Sequence, residues 1–279
     1  MSILQAIILG LTQGASEFAP ISSSGHLILV PWLFGWDVVA DADLNKTFDV
    51  ALHLGTLLGA LVYFRADVAR YLRALGVSVR ARAVRTQDER LAWALVIGTI
   101  PGVVAGATLE SLIEEHLSQP WLIAVMLAVF GVVLWGVDRW AAHARGMDSI
   151  KLRTGLGLGV AQALALSPGV SRSGITMTAA RAIGLERADA ARFSFLLSLP
   201  IVFGAGVYTS LDLIREGFRG YGSEFAWGFV AATVSGFAVI ALLLRYLRRH
   251  SFAAFLWYRL GVAAIVLALI ATDTRPATV

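Results

Sequence analysis

The chain of 279 residues has no cysteine, only seven prolines and little charge, with Asp, Glu, Lys and Arg together at 15%. The absence of thiols excludes disulfide frameworks, thiolate metal centres and cysteine nucleophiles, and leaves the redox compartment open. The shortage of charge excludes more. A soluble chain carries about 25% charged residues. With 57% hydrophobic residues, this one could not cover a water-facing surface, so the excess apolar mass must face lipid. Charge of one sign is also scarce: 23 Lys and Arg against 19 Asp and Glu is too small a bias to argue for a nucleic-acid partner. The opening segment, Met1 to Leu11, lacks a basic flank and a small-residue cleavage site, so it does not read as a removable signal peptide.

What is present is apolar sequence in blocks. Six stretches approach the length of about 20 residues that a transmembrane helix needs: 49–64, 91–109, 121–138, 193–212, 225–244 and 253–272. Trp93, Trp121, Trp140, Trp227 and Trp257 fall near their ends, where amphipathic rings favour the headgroup level. Four shorter apolar pieces, 2–12, 25–36, 154–166 and 174–184, pair around Ser-, Gly- and Pro-rich turns. Each pair predicts a re-entrant helical hairpin. Non-helical backbone at membrane depth must be buried in protein or line a wet cavity, which places both hairpins in the middle of the bundle.

The two halves, about 1–140 and 150–272, resemble each other in order. At an offset of 149, Leu9, Gly10, Gln13, Ser22, Ser24 and Gly25 meet Leu158, Gly159, Gln162, Ser171, Ser173 and Gly174; at 145, Phe48, Tyr63 and Asp67 meet Phe193, Tyr208 and Asp212; at 134, Trp93 and Gly102 meet Trp227 and Gly236. Three collinear blocks point to a duplication within a single membrane domain. A half with one re-entrant hairpin and three spans crosses an odd number of times, so the second half is expected upside down relative to the first. Loops 65–90, 139–153, 185–192 and 245–250 then share one side and hold 16 Lys and Arg, against four (Lys46, Arg215, Arg219 and Arg275) on the other. By the positive-inside rule the Arg-rich loops are cytoplasmic and both termini lie outside. The expected fold is an all-α polytopic membrane protein: an inverted-topology repeat with two re-entrant helical hairpins and six full spans. Three arginines, Arg172, Arg181 and Arg259, remain within or beside apolar segments.

The first hairpin carries Gln13 and Glu17, four apart and so on one helical face, followed by Pro20, Ser22, Ser23, Ser24, Gly25 and His26. A carboxylate inside an apolar bundle is a functional hypothesis by default, with a cationic partner or a metal; the alternative is a capping residue. The second hairpin runs from Ser167 through Pro168, Gly169, Ser171, Arg172, Ser173 and Gly174 to Thr176. A guanidinium fork among hydroxyls, beside the N–H groups that open a helix, suits phosphate oxygens. Arg172 could equally pair with Glu17 and lock the halves together, and the two readings are compatible. An acid, a base, hydroxyl nucleophiles and an anion clamp suit phosphoryl transfer or hydrolysis. Ser23 or Ser24 could be activated by His26, or Glu17 could hold a hard divalent cation; both roles stay open. Asp49 is a second-tier candidate to orient His26 or a metal. His53 reads as a packing or hydrogen-bonding residue, and His116, His143 and His250 as solvated. Gly155, Gly157 and Gly159 read as close helix packing, and the arginines from Arg65 to Arg90 as topology and headgroup contacts.

These motifs resemble those of the integral-membrane undecaprenyl-diphosphatases associated with bacitracin resistance. The resemblance covers nearly the whole chain. It rests on Gln13 to Glu17, on the Pro20-Ile-Ser-Ser-Ser-Gly-His26 run, and on Pro168-Gly-Val-Ser-Arg-Ser-Gly-Ile-Thr176. It implies hydrolysis of undecaprenyl diphosphate to undecaprenyl phosphate and inorganic phosphate on the outer face of the bacterial cytoplasmic membrane, recycling the carrier for cell-wall synthesis. It also implies interlocked inverted repeats and a divalent cation, Mg or Ca, with Glu17 as its ligand. Carried over, Glu17, Ser23, His26 and Arg172 form the catalytic set, while Gln13, Ser22, Ser24, Ser171, Ser173 and Thr176 line the phosphate site. Position 13 is Gln where many relatives have Glu, which weakens a two-carboxylate metal site. The expected partners are a polyprenyl diphosphate and the bilayer, with a second copy of the chain as a candidate. The rival reading is an inverted-repeat transporter or flippase for a phosphorylated lipid carrier, because broken helices at the midplane are also a transport architecture.

Overall fold

A computed structural model describes residues 1–36, 42–216 and 218–278, with the side chains at 42, 43, 110, 111, 114, 115 and 208–216 left outside that description. Tyr208, Asp212 and Arg215, used in the comparison of halves and in the charge count, therefore lie outside the described side chains. Eleven α-helices are described: α1 (Ile3–Phe18), α2 (Ser23–Phe34), α3 (Ala42–Tyr63), α4 (Arg65–Ala81), α5 (Gln87–Leu117), α6 (Pro120–Trp140), α7 (Leu152–Ala163), α8 (Arg172–Ala182), α9 (Arg187–Glu216), α10 (Gly222–Leu247) and α11 (Ala253–Ala271). Among the described residues there is no sheet, only an isolated bridge between Arg145 and Leu185.

Local chemistry sets several of the helix starts. Ser2 with Gln5, and Thr86 with Glu89, close capping boxes at α1 and α5, and Pro120 opens α6. Among the described residues five helices, α5, α6, α9, α10 and α11, are long and apolar enough to cross a membrane, and the bent pair α3–α4 makes a sixth if counted as one span. Each of the six expected stretches falls in one of these helices. Large apolar side chains such as Leu242 (66% exposed) and Trp257 (70% exposed) point outward, as lipid-facing positions do. The segment 65–90 was expected as a loop, but its first part is the amphipathic helix α4, turned 83° from α3. Its buried face carries Tyr71, Ser78 and Asp67, and Asp67 takes Arg70 at 3.0 Å and Arg192 at 2.6 Å.

The two short helix pairs are where the sequence puts them. At about 1.5 Å per residue, α2 with 12 residues and α8 with 11 are too short to span a bilayer. They are joined to α1 and α7 by tight turns. Across the molecule α1 packs on α10 and α7 packs on α5, while α6 pairs with α11 and α3 with α9. The close approaches need glycine: a Cβ on Gly10 would lie 2.3 Å from the Gly228 carbonyl oxygen, and one on Gly159 would lie 2.1 Å from that of Gly98. Gly10 and Gly159 are 149 apart, the offset of the first repeat block. The packing reading of the glycine run holds at Gly155 and Gly159, whereas Gly157 meets nothing.

Arg181, fully buried, explains why one arginine tolerates an apolar segment. Its Nε donates to Asp138 Oδ1 at 2.8 Å, its Nη1 donates to the carbonyls of Ala142 and Leu185, and Arg187 Nε joins the same Asp138 oxygen at 2.8 Å. His143, expected to be solvated, is exposed but meets Arg181 Nη2 at 3.1 Å. Asp138 thus closes the ends of α6, α8 and α9 on one another. Removing one partner of a buried pair leaves uncompensated charge, so Asp138→Asn is expected to destabilise the protein by about 3–5 kcal/mol, read as a lowered unfolding temperature in detergent, while Arg139→Gln on the adjacent exposed position leaves it unchanged.

Candidate active site

Helix α1 delivers Gln13 and Glu17 on one face, as their spacing requires, and Gln13 Nε2 donates to Glu17 Oε2 at 3.0 Å. The chain then leaves the helix through Ala19, Pro20 and Ile21. Ser22 adopts φ +75°, and its hydroxyl accepts from the Gly25 N–H at the start of α2. The second hairpin repeats this conformation. Ser171, 149 residues on, also has φ +75°, and its hydroxyl accepts from the Gly174 N–H at the start of α8. A non-glycine residue in that region stores about 1–3 kcal/mol of strain and persists only where its surroundings enforce it.

The two turns touch. The Gly169 N–H donates to Ser22 Oγ at 2.9 Å, Ser173 Oγ donates to the Ala19 carbonyl at 3.0 Å, and the Arg172 guanidinium pairs with Glu17 Oε1. Ser23 Oγ donates to Glu17 Oε2 at 2.6 Å. Both α2 and α8 begin at this junction, so the positive ends of two helix dipoles meet there. Arg259, fully buried on α11, holds the turns in place. It donates to the carbonyls of Pro20 (3.1 Å), Gly169 (2.6 Å) and Val170 (3.2 Å) and to Leu127 on α6 (2.8 Å).

Of the sequence-expected set, the structure brings together Gln13, Glu17, Ser22, Ser23, Arg172 and Ser173. Glu17 is buried, whereas Ser23 and Arg172 are only half-buried, the pattern of a carboxylate with reachable groups around it. Ser24 lies 3.5 Å from Ser22, and Ser171 lies 3.2 Å from Ser173. Thr176 is turned from the junction: its hydroxyl donates to the Arg172 carbonyl at 2.7 Å and meets the Ser194 hydroxyl. His26 has no hydrogen bond to Ser23 or Ser24. Its Nδ1 donates to the Ser22 carbonyl at 2.7 Å, and its Nε2 pairs with the Tyr258 hydroxyl at 2.8 Å under a stacked ring. Asp49 does not orient His26; its backbone carbonyl accepts from His53 Nδ1 at 2.8 Å.

Sequence reasoning passed over three residues. His53, read as a packing residue, presents Nε2 to Glu17 Oε2 at 3.6 Å. Arg259 was noted only as a cation in an apolar segment, and that was its signal. Tyr258, one residue after Trp257 at the start of an apolar stretch, gave none. Beside the junction a cavity of about 210 Å³ is lined by the polar residues Ser24, Asp49, His53 and Ser118 and by the apolar residues Leu27, Ile28, Ile113, Leu166 and Pro168. Arg172 Nη1 is buried with no hydrogen-bond partner. A buried donor of this kind suits an anionic oxygen.

A resident metal fits this donor set poorly. Among the described residues no three His, Asp or Glu side chains converge. Both Glu17 oxygens face donors, namely Arg172, Ser23 and the amide nitrogen of Gln13. An added cation would therefore meet positive charge and N–H groups where it needs lone pairs.

The chain matches the family model described as "Bacitracin resistance protein BacA" over residues 6–265. It is 46% identical over 270 residues to an undecaprenyl-diphosphatase of Pelotomaculum thermopropionicum, covering 96% of this chain and 97% of that one. It is 47% identical over 270 residues to that of Geobacter sulfurreducens, covering 96% and 98%, and 43% identical over 274 residues to that of Gemmatimonas aurantiaca, covering 98% and 100%.

From the donor set, the purified protein is expected to show no saturable Mg or Ca binding by calorimetry in the absence of a diphosphate. Tight stoichiometric binding to the protein alone would contradict this geometry.

Proposed function

The chain belongs to the undecaprenyl-diphosphatase family of bacitracin-resistance proteins, and on that premise we propose that it hydrolyses undecaprenyl diphosphate to undecaprenyl phosphate and inorganic phosphate. The observation that carries the reading is the convergence of a serine hydroxyl, a carboxylate and an arginine where two buried turns meet. Ser23 Oγ attacks the terminal phosphorus as its proton passes to Glu17 Oε2, already its hydrogen-bond acceptor. The bond from that phosphorus to the bridging oxygen breaks, and the electron pair leaves with the lipid monophosphate. A water molecule then cleaves the phosphoserine, releasing inorganic phosphate and returning the hydrogen to Ser23.

Arg172, with Nη1 free for an anionic oxygen, and the N–H groups that open α2 and α8 stabilise the phosphoryl oxygens as charge builds on them. In this reading the base is Glu17. His26 serves by fixing the turn that carries Ser22 and Ser23, since both its ring nitrogens are engaged elsewhere. A divalent cation, Mg or Ca, enters as part of the substrate, chelated by the diphosphate oxygens, and no step passes through a protein-held ion. The apolar lining of the cavity, with Leu27, Ile28, Ile113 and Leu166, suits the first carbons of the prenyl chain.

The membrane arrangement is part of the proposal. Short hairpin helices, the shared Ser22 and Ser171 conformation, and the exchange by which α1 packs on α10 and α7 on α5 support two inverted halves with re-entrant hairpins. The arginine-rich segments lie in the cytoplasm, and the site opens outside.

The test is phosphate release from long-chain prenyl diphosphate in detergent. Ser23→Ala, Glu17→Gln and Arg172→Ala are each expected to slow it by about 10²-fold or more. Wild-type rates for Glu17→Gln or Arg172→Ala would refute the assignment. Lipid flux that requires sealed vesicles, without phosphate release in detergent, would favour a transporter instead.

A further inference from the structure

His53 stands four residues after Asp49 on α3, with its side chain 30% exposed on the wall of the cavity that Ser24 and Asp49 also line. Its Nδ1 faces a backbone carbonyl, that of Asp49 at 2.8 Å. A carbonyl only accepts, so Nδ1 holds a hydrogen whatever the state of the ring. The one ring atom left to face the site is Nε2, which lies 3.6 Å from Glu17 Oε2. A bare lone pair aimed at a carboxylate oxygen is repelled, whereas the Nε2–H of a doubly protonated ring is drawn to it, and would be drawn in the same way to a phosphoryl oxygen.

The carboxyl groups beside the cavity leave a place for a second cation. Asp49 lines the cavity and Glu17 stands next to His53 on its wall, so two carboxyl groups lie near the space that a diphosphate would enter, and Arg172 reaches Glu17 from the other hairpin. Arg172 is itself partly committed to Glu17. An anionic substrate entering such a space gains little unless another positive group shares the load.

We propose that His53 is a catalytic residue of this site, a second cationic contact that binds the terminal phosphoryl oxygens opposite Arg172 and strengthens its hold as charge develops on them. This rests on the phosphatase reading given above. Before substrate arrives the ring is parked against Glu17 at 3.6 Å. When a phosphoryl oxygen comes within reach, the same Nε2–H turns to it, leaving Glu17 free to take the Ser23 proton. His53 keeps its own proton throughout, so the reaction balance is unchanged.

The experiment uses the full-length protein in detergent with long-chain prenyl diphosphate. His53→Gln, which keeps a donor but no charge, is expected to lower kcat/KM by about 10²-fold and to weaken competitive inhibition by inorganic pyrophosphate. His53→Ala opens the ring's own space to the cavity, so added imidazole is expected to restore turnover, more effectively at a pH where imidazole is protonated. Thermal unfolding of each variant is measured alongside, since a packing residue would lower that temperature without responding to imidazole. Wild-type kcat/KM in His53→Gln, or a folded but inactive His53→Ala that imidazole fails to rescue, overturns the proposal. If Glu17→Gln and Arg172→Ala also turn over normally, the phosphatase site itself is misassigned, which is a separate failure.

Discussion

A carboxylate in the centre of an apolar bundle must be matched, and the match between Glu17 and Arg172, 155 residues apart in the chain, joins the two hairpins. Charge inside a membrane protein is costly and survives where it is paired. Here the contact that satisfies the charge also assembles the site, because Ser23 reaches Glu17 only when the first turn is seated, and Arg172 reaches it only when the second is. A buried ion pair rarely stabilises a fold more than apolar residues of the same volume. Stability alone is therefore a poor account of this pair, whereas an anion able to claim part of Arg172 is a good one.

The turns create a second problem, which Arg259 solves. Where α1 and α7 end, the carbonyls of Pro20, Gly169 and Val170 no longer point along a helix, and lipid offers them no donor. One guanidinium reaches all three and also Leu127 on α6. It has no carboxylate of its own among these contacts. Its hydrogen bonds go to irregular backbone, and the geometry of both turns depends on it.

Much of this architecture was legible in the sequence, because a membrane makes hydrophobic length a direct record of helix length. The six long stretches and the two short pairs appear in the helices where they were read. The segment after Tyr63 was not, since an amphipathic helix such as α4 has too much arginine to register as apolar and no loop signal beyond that charge. At the site, the i, i+4 spacing of Gln13 and Glu17 foretold their contact, and the isolated Arg172 foretold its partner. His26 misled because a histidine two residues after a serine looks like its base, and only the backbone conformation at Ser22 turns the ring toward Tyr258. His53 was hidden for the opposite reason. On a helix of its own, 36 residues from Glu17, nothing local reveals which way it faces.

The twin serines at 22 and 171 have one more implication. Their neighbours Ser23 and Arg172 occupy the same register in the two turns, so the nucleophile and the clamp assigned to this site are one structural position filled differently. The acid at 17 has its counterpart at Leu166 and the histidine at 26 at Ile175. On the proposed reading it is the difference between the turns that matters: two identical ones would have offered twin hydroxyls with nothing to grip an anion, or twin guanidinium groups with nothing to attack it.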